Sequence, residues 1–443
     1  MKLFPHQEEA MKQTEGFQNI AVYHDMGLGK TFTGTEMMFR FGNQVNLLIC
    51  QKSKVQDWID HFDTNYEDCL NYDLTKSKHF QTFLKEVDGL EPWEKAVGVI
   101  NYELAWRRKQ LLQLHDFTLM LDESSLIQNT KAKQTKFVLK LKPAHCILLS
   151  GTPVGGKYEN LWSQCHLLGW KITEGLYSRQ YVNWKKIEAG GMIHKVVDMD
   201  DPYKNTDRLK SKMREHGAVF LKTEEVIDLP DQVFTKVKVD APAEYWTFWK
   251  DKIVEVHTGV FDVLIDHDWE GKSYSDLHEL VGDTSLTKLL YSRQLCSQYN
   301  PNKFSALQDL IQSTQDRLII FYNFNEELWK LKKMCQELGR PTSEINGHTK
   351  DLTAYEQESN SITLCQYQSA SKGLNLQKCN RIIYFSLPLS SEDFEQSKKR
   401  IHRIGQDHTC FYYILICRGT VEERILKTLE ERKDYTDELF NCN

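Results

Sequence analysis

The chain has 443 residues, 40% hydrophobic and 27% charged, with a formal net charge of −6. That length suits about two to three domains with real cores, and the acidic balance excludes a global basic field, so any nucleic-acid footprint must be local. The 11 cysteines are scattered without a C-x-x-C pair, which argues against a zinc framework or disulfide scaffold and for a reduced compartment.

The opening residues, Leu3-Phe4-Pro5-His6-Gln7, lack the apolar core of a signal peptide. No apolar run approaches the length of a membrane span, so a soluble, cytoplasmic protein with no membrane partner is expected. Ile20 to Tyr23 reads as a buried strand and Phe32 to Phe41 as a helix. Between them lies His24-Asp25-Met26-Gly27-Leu28-Gly29-Lys30-Thr31. Strand, glycine loop, Lys-Thr and helix make a phosphate cradle. Gly27 and Gly29 let backbone N–H groups turn inward, and the helix N-terminus adds unpaired donors. Lys30 suits the β- and γ-phosphates, and the Thr31 hydroxyl suits Mg²⁺. His24 stands where the common phosphate-loop pattern has its first Gly.

Further short apolar runs, Val45–Cys50, Ala96–Ile100, Thr118–Leu121 and Cys146–Leu149, alternate with amphipathic stretches up to about residue 160. Such alternation predicts an α/β fold with a parallel sheet, whose ligands lie at the carboxyl ends of strands. Asp122-Glu123 directly follows one run, and Ser150-Gly151-Thr152-Pro153 follows another. Beside Lys30-Thr31, Asp122 is assigned to the Mg²⁺ shell and Glu123 to activating water. The Ser150–Pro153 segment is placed as a relay between nucleotide and a second ligand. Lys131, Lys133, Lys136, Lys140 and Lys142 form a local basic patch, with Lys133, Lys136 and Lys140 on one helical face. It suits either a nucleic-acid backbone or solvent.

From about 163 to 300 the pattern is polar, aromatic-rich and mostly helical, with turns at Gly190-Gly191 and Asp201-Pro202 and a hinge at Leu229-Pro230. Trp246, Trp249 and Trp269 are assigned to local core. From Lys303 strand-helix alternation returns, with strands at Leu318–Phe321, Ile362–Cys365, Ile382–Phe385 and Phe411–Ile416. This second domain has no Gly-Lys-Thr loop. Instead, helical spacing puts Gln396, Arg400 and Arg403 on one face, where guanidinium groups would serve as fingers on the phosphates of the first domain.

Together these residues resemble the Swi/Snf-type superfamily-two helicase-like ATPases, including their compact bacterial and phage members. Leu3-Phe4-Pro5-His6-Gln7 is similar to the adenine-reading opening, with Gln7 as its glutamine. Asp25 to Thr31 resembles the phosphate loop of the family almost letter for letter. Leu48 to Ser53 with Trp58 resembles motif Ia, with Gln51 replacing the usual Pro. Asp122-Glu123-Ser124-Ser125 resembles motif II, with Ser125 replacing His, and Ser150 to Pro153 resembles motif III. Arg317 to Phe324 resembles motif IV, and Gly373-Leu374-Asn375-Leu376 the end of motif V. Arg400 to Gln406 resembles motif VI, and Gly419 to Glu423 the usual tail. Departures in the second domain are Ala370-Ser371-Lys372 in motif V, and Ser386 and Leu389-Ser390 in the loop that usually carries Asp and Trp-Asn.

The resemblance implies two RecA-like parallel-sheet lobes with helical insertions between them. Residues 1–229 would form lobe 1, with an insertion from about 163. Residues 230–302 would be linker and insertion, and 303–443 lobe 2. ATP with Mg²⁺ would sit between the lobes. Asp25, Met26, Gly27, Leu28, Gly29, Lys30, Thr31, Gln7 and Gln396 would hold the nucleotide. Lys30, Asp122, Glu123, Arg400 and Arg403 would act in catalysis, with Thr31 and Asp122 on the metal. Duplex DNA would cross both lobes, touching Lys52, Ser53, Thr152 and Asn375. The expected activity is DNA-dependent ATP hydrolysis coupled to translocation in replication, recombination or repair. It would be carried out by a monomer in a bacterial or phage-infected cell. Strand separation, RNA as substrate, and a scaffold without turnover are the alternatives.

Overall fold

The computed structural model describes residues 3–440 apart from 155–156, 190–191, 199, 227, 258–276 and 368–374. Trp269, the Gly190-Gly191 turn, the Ala370–Lys372 departure and Gly373-Leu374 therefore lie outside the described residues. The chain divides into two compact units, the second running from Leu229 to Glu431.

The first unit contains β1 (Asn19–His24), β2 (Val45–Cys50), β3 (Cys69–Asp73), β4 (Lys95–Asn101), β5 (Phe117–Asp122), β6 (His145–Leu149), β7 (Trp184–Ala189), β8 (Met192–Val197) and β9 (Ala218–Leu221). Seven of these form one sheet in the order β3-β4-β2-β5-β6-β1-β9, every neighbouring pair parallel. β7 and β8 pair antiparallel as a separate hairpin. Strands such as Val-Asn-Leu-Leu-Ile-Cys are buried along their whole length, as a sheet covered on both faces requires. Alternate residues feed two cores. Tyr23, Leu47, Leu119 and Leu148 face one, while Val22, Leu48, Met120 and Ile147 face the other.

The second unit contains β10 (Gln232–Val239), β11 (Ile253–His257), β12 (Leu277–Val281), β13 (Leu318–Tyr322), β14 (Thr342–Ile345), β15 (Lys350–Asp351), β16 (Ile362–Gln366), β17 (Arg381–Tyr384) and β18 (Cys410–Cys417). Its sheet runs β10-β18-β17-β13-β16-β14-β15, parallel except for β14–β15. Ile319, Phe321 and Tyr384 fill one face and Leu318, Ile320 and Ile383 the other. Both units are thus α/β lobes of the RecA-like kind, with the phosphate-loop strand and the Asp-Glu strand separated by one strand.

The stretch from 163 to 300 is helical at Trp162–Leu167, Glu174–Tyr181, Thr206–Glu215, Ala243–Asp251 and Ser285–Cys296, as expected. It also holds two hairpins, β7–β8 and β11–β12, and the strands β9 and β10 that extend the two sheets. Of these, β7, β8 and β10 mix Lys with apolar residues, and β9, β11 and β12 are only four or five residues long, so none gives a long apolar run. Trp249 packs against the second core, flanked by Lys288 and Arg424 over its ring. Trp246 departs from its core assignment and is 49% exposed.

Candidate functional site

Register aligns three strand ends in the first unit. Val22 lies beside Leu149, and Leu149 beside Asp122, so the loops that leave β1, β6 and β5 emerge together. The helix after β1 begins at Lys30, two residues earlier than the sequence pattern suggests, and runs to Arg40. Gly27 (φ 90°) and Gly29 (φ 71°) both adopt the left-handed region. That curls the loop and leaves Lys30 and Thr31 in the first turn. Lys30 Nζ donates to the His24 and Asp25 carbonyls at 2.8 and 3.1 Å. Asp25 is anchored by the Thr223 amide and hydroxyl, each 3.2 Å from its carboxylate. A Cβ on Gly151 would stand 3.4 Å from Lys30 Nζ and 3.1 Å from Met26 Cγ. The loop after β6 therefore lies close against the ammonium group, with Met26 the tighter neighbour.

Gln7 is buried and bridges two backbones. Its Nε2 donates to the Gly29 carbonyl at 3.0 Å, and its Oε1 accepts from the Phe4 amide at 2.9 Å. His6 Nε2 lies 3.0 Å from the Leu28 carbonyl. The opening segment is thus tied to the phosphate loop. His24, at the position of the missing Gly, is 1% exposed, and its Nδ1 has no hydrogen-bond partner among the described residues. Burial and the Lys30 charge pull its imidazole down to about 3, so it is neutral at physiological pH.

Asp122 closes β5 and accepts from Trp58 Nε1 at 2.8 Å. Burial pushes its carboxyl up, while the Trp58 hydrogen bond and the Lys30 charge oppose that rise. Trp58, which the resemblance places with motif Ia, is itself buried, and its indole serves Asp122. Lys52 and Ser53, by contrast, are exposed. Glu123 takes φ 52°, ψ 61°, a conformation that costs a non-glycine residue roughly 1–2 kcal/mol. Such strain persists where surroundings over-determine it. Here Tyr102 Oη donates to the Asp122 carbonyl at 2.9 Å, and Ser150 Oγ to the Glu123 carboxylate at 3.4 Å.

Sequence reasoning missed Gln164. Its Oε1 accepts from Tyr23 Oη at 2.9 Å and Ser124 Oγ at 2.8 Å, and its Nε2 donates to the Pro153 carbonyl at 2.7 Å. One buried amide therefore joins the phosphate-loop strand, the acidic turn and the Ser150–Pro153 loop. A lone Gln in a helix gives no sequence signal for this. Thr152 is 7% exposed, and its hydroxyl has no partner among the described residues.

In the second unit the helix Ser391–Lys398 is capped by Ser390 Oγ on the Asp393 amide. Gln396 is buried within it and donates to Glu392 at 3.1 Å. Arg400 and Arg403 lie beyond its end, which corrects the expectation of one shared helical face. Tyr412 Oη takes the Lys398 carbonyl at 3.1 Å. The Gln406 amide then binds the carbonyls of Ile401, Gln377 and Cys379 at 3.2, 3.1 and 3.0 Å, folding the segment into turns. Arg400 is 3% exposed, and Arg403 Nη1 donates to the Asn375 side-chain oxygen. Asn375 and Arg403, assigned different roles, are thus direct partners. The basic patch is also revised: its helix covers only Lys133–Val138, so Lys140 falls outside it.

The donor set fits a nucleoside triphosphate with a hard cation. Lys30 rests on its own loop carbonyls beside glycines in the left-handed region, and Thr31 and Asp122 offer the hydroxyl and carboxylate oxygens that Mg²⁺ prefers. Two parallel-sheet lobes, one with such a cradle, are the architecture of a RecA-like, phosphate-loop nucleotide-binding protein. Residues 10–300 match the SNF2-related domain, and residues 302–405 the helicase conserved C-terminal domain. The chain belongs to the SNF2-related family and is an ATP-using enzyme of helicase type.

An ATP-dependent helicase of Bacillus subtilis, YqhH, is 26% identical over 97% of this chain and 78% of its own length. A helicase/translocase of the same organism, YwqA, is 22% identical over 94% of this chain. A RAD54-like DNA repair and recombination protein of Drosophila persimilis is 20% identical over the whole chain. The chain spans 46% of the length of YwqA and 64% of the RAD54-like protein. The SWI2/SNF2 ATPase core of Sulfolobus solfataricus, solved with double-stranded DNA, aligns at a TM-score of 0.45 with 19% identity, covering 99% of this chain and 92% of that one.

Proposed function

We propose that this protein is a DNA-dependent ATPase that converts ATP hydrolysis into movement along duplex DNA, in replication, recombination or repair. The observation that carries the reading is that Lys30, in the loop leaving β1, and Asp122-Glu123, at the end of β5, sit on the same edge of one sheet on either side of β6, with Asp122 buried and under the Lys30 charge. The repair and recombination relative and the helicase/translocase relative point to DNA as the track.

In this reading Gln7 contacts the base, and the loop from Asp25 to Thr31 with Lys30 holds the phosphates. Thr31 and Asp122 hold Mg²⁺, which neutralises phosphate charge when bound. Glu123 orients and deprotonates the attacking water. Its left-handed backbone fixes the carboxylate independently of the strand. Arg400 and Arg403 supply positive charge to the transition state, and Gln396 helps to hold the nucleotide. Lys52, Ser53, Thr152 and Asn375 contact the DNA strand. The protein acts as a monomer within the cytoplasm. Residues 1–229 and 303–443 are the working lobes, joined by 230–302, of which β10 adds a strand to the sheet of the second lobe.

The test is ATP turnover by the purified protein alone and with duplex, forked and single-stranded DNA and with RNA. Stimulation by duplex DNA, with displacement of a third strand but no unwinding of a fork, is the expected result. No stimulation by duplex DNA would defeat the reading. Fork unwinding would replace translocation by strand separation.

A further inference from the structure

The hairpin β7–β8 carries an unusual cross-strand pair. Lys186 stands directly opposite Lys195. Directly opposed like charges destabilise an antiparallel pair, and a two-stranded ribbon has little else to hold it together. The two side chains share one face, because paired residues of an antiparallel ladder project to the same side. Both are exposed, and neither pairs with a carboxylate among the described residues.

Asp198 and Asp200 are committed to the opposite face. Lys185 is neutralised by Asp198 at 3.1 Å and Asp200 at 3.3 Å. Lys186 and Lys195 share their face with Trp184, Glu188 and Ile193. The Lys195 ammonium sits 4.5 Å from the centroid of the Trp184 ring, so an indole rather than an acid supports it. Ile193 is 73% exposed. On a protein of net charge −6, the hairpin concentrates three lysines against one glutamate. Two of the three stand side by side without a counter-charge.

We propose that this hairpin is a second nucleic-acid contact of the first lobe, gripping the phosphodiester backbone of duplex DNA with the Lys186 and Lys195 ammonium groups. The proposal rests on the DNA-dependent reading above and adds a contact outside the residues assigned there. A backbone of closely spaced phosphates supplies the two anions that the cross-strand pair lacks. A two-stranded ribbon has the width to lie along a groove while its lysines reach phosphates. Trp184 restricts Lys195 before binding, which lowers the ordering cost of the contact.

The test is titration of a labelled DNA duplex over a range of salt concentrations, with labelled single-stranded DNA and RNA as parallel probes. Each phosphate contact contributes about 0.9 to the slope of log affinity against log salt. The double variant Lys186→Gln/Lys195→Gln is expected to lower that slope by about 2, leaving ATP turnover without DNA unchanged. Glu188→Lys is expected to raise it by about 1. Slopes matching the unsubstituted protein in both variants overturn the hairpin contact alone. An unsubstituted protein with no affinity for any of the three probes overturns both this contact and the DNA-dependent reading. A loss confined to single-stranded DNA or RNA overturns the duplex assignment.

Discussion

Trp58 Nε1 donates to Asp122 Oδ2 at 2.8 Å, so an indole from one helix satisfies the carboxylate that ends the central strand β5. In water such a bond is worth little. Here Asp122 is buried, and removing the donor strands an acceptor in a low-dielectric site. Trp58→Phe keeps the ring packing and deletes only the N–H. Turnover is expected to fall by roughly 10- to 100-fold, the usual effect of losing a partner that orients a metal-binding group. Steady-state ATPase kinetics over a Mg²⁺ titration check it, and added Mg²⁺ should restore part of the loss.

Gly29→Ala probes the tie between the opening segment and the phosphate loop. The new Cβ would lie 2.5 Å from Gln7 Nε2, at a residue held at φ 71°. The left-handed backbone alone costs about 1–2 kcal/mol, and Gln7 must leave its hydrogen bond. The KM for ATP is expected to rise by about tenfold or more, since ~1.4 kcal/mol is a factor of ten. Gln7→Ala should raise it without the loss of thermal stability seen for the glycine variant. Parallel ATP titrations and melting curves separate the two.

His24 predicts acid sensitivity. Its folded value is about 3 against about 6.5 in an unfolded chain, so unfolding takes up a proton that the folded state refuses. Stability therefore declines as pH drops below about 6.5 and levels off near the folded value. At pH about 5 the loss is on the order of 2 kcal/mol. His24→Asn should flatten that part of the curve. Denaturant midpoints measured from pH about 7 to about 5 test it, and a variant curve parallel to the original would reject it.

Arg403→Ala is expected to leave ATP binding intact and to lower hydrolysis by roughly 10³-fold, the scale of a lost arginine finger. Because Arg403 holds the Asn375 side chain, DNA stimulation should weaken as well. Nucleotide binding by fluorescence and turnover on the same preparation distinguish this from a misfolded second lobe, in which both would fail together.

In the second lobe Lys303 and Glu422 form an ion pair at 2.6 Å, with side chains 0% and 3% exposed. Glu422 also accepts from the Cys417 amide at 2.9 Å. Lys303→Met alone strands a buried carboxylate and should cost about 3–5 kcal/mol. Adding Glu422→Gln, which still accepts from Cys417, should recover most of it. Urea midpoints of the single and double variants are the measurement.

The nucleotide half of the site was legible because its chemistry is local. Asp25 to Thr31 and Asp122-Glu123 each occupy one strand end, and apolar runs locate those ends within a residue or two. The parallel sheets followed from the same alternation, and the ATPase class from the family resemblance that those motifs carry. What escaped was non-local or polar. Gln164 reaches Tyr23 across 141 residues and Trp58 reaches Asp122 across 64, and a lone Gln in a helix has nothing in its own neighbourhood that marks it. The strands β7, β8 and β10 carry lysines where a buried strand would carry Val or Ile, and β9 is only four residues long, so periodicity alone read them as helix or linker. Arg400 and Arg403 were placed on a helix because spacing cannot register that Tyr412 and Gln406 take over its carbonyls.

The Gln164 amide has a mechanical consequence. Tyr23, Ser124 and Pro153 all hang from one planar group of a few atoms, and such a group cannot satisfy them at three independent positions. A displacement of the acidic turn when the γ-phosphate leaves must drag the neighbouring loop or break a buried bond. Strand β1, the acidic turn and the Ser150–Pro153 loop are therefore coupled as one stiff part within reach of a single side chain.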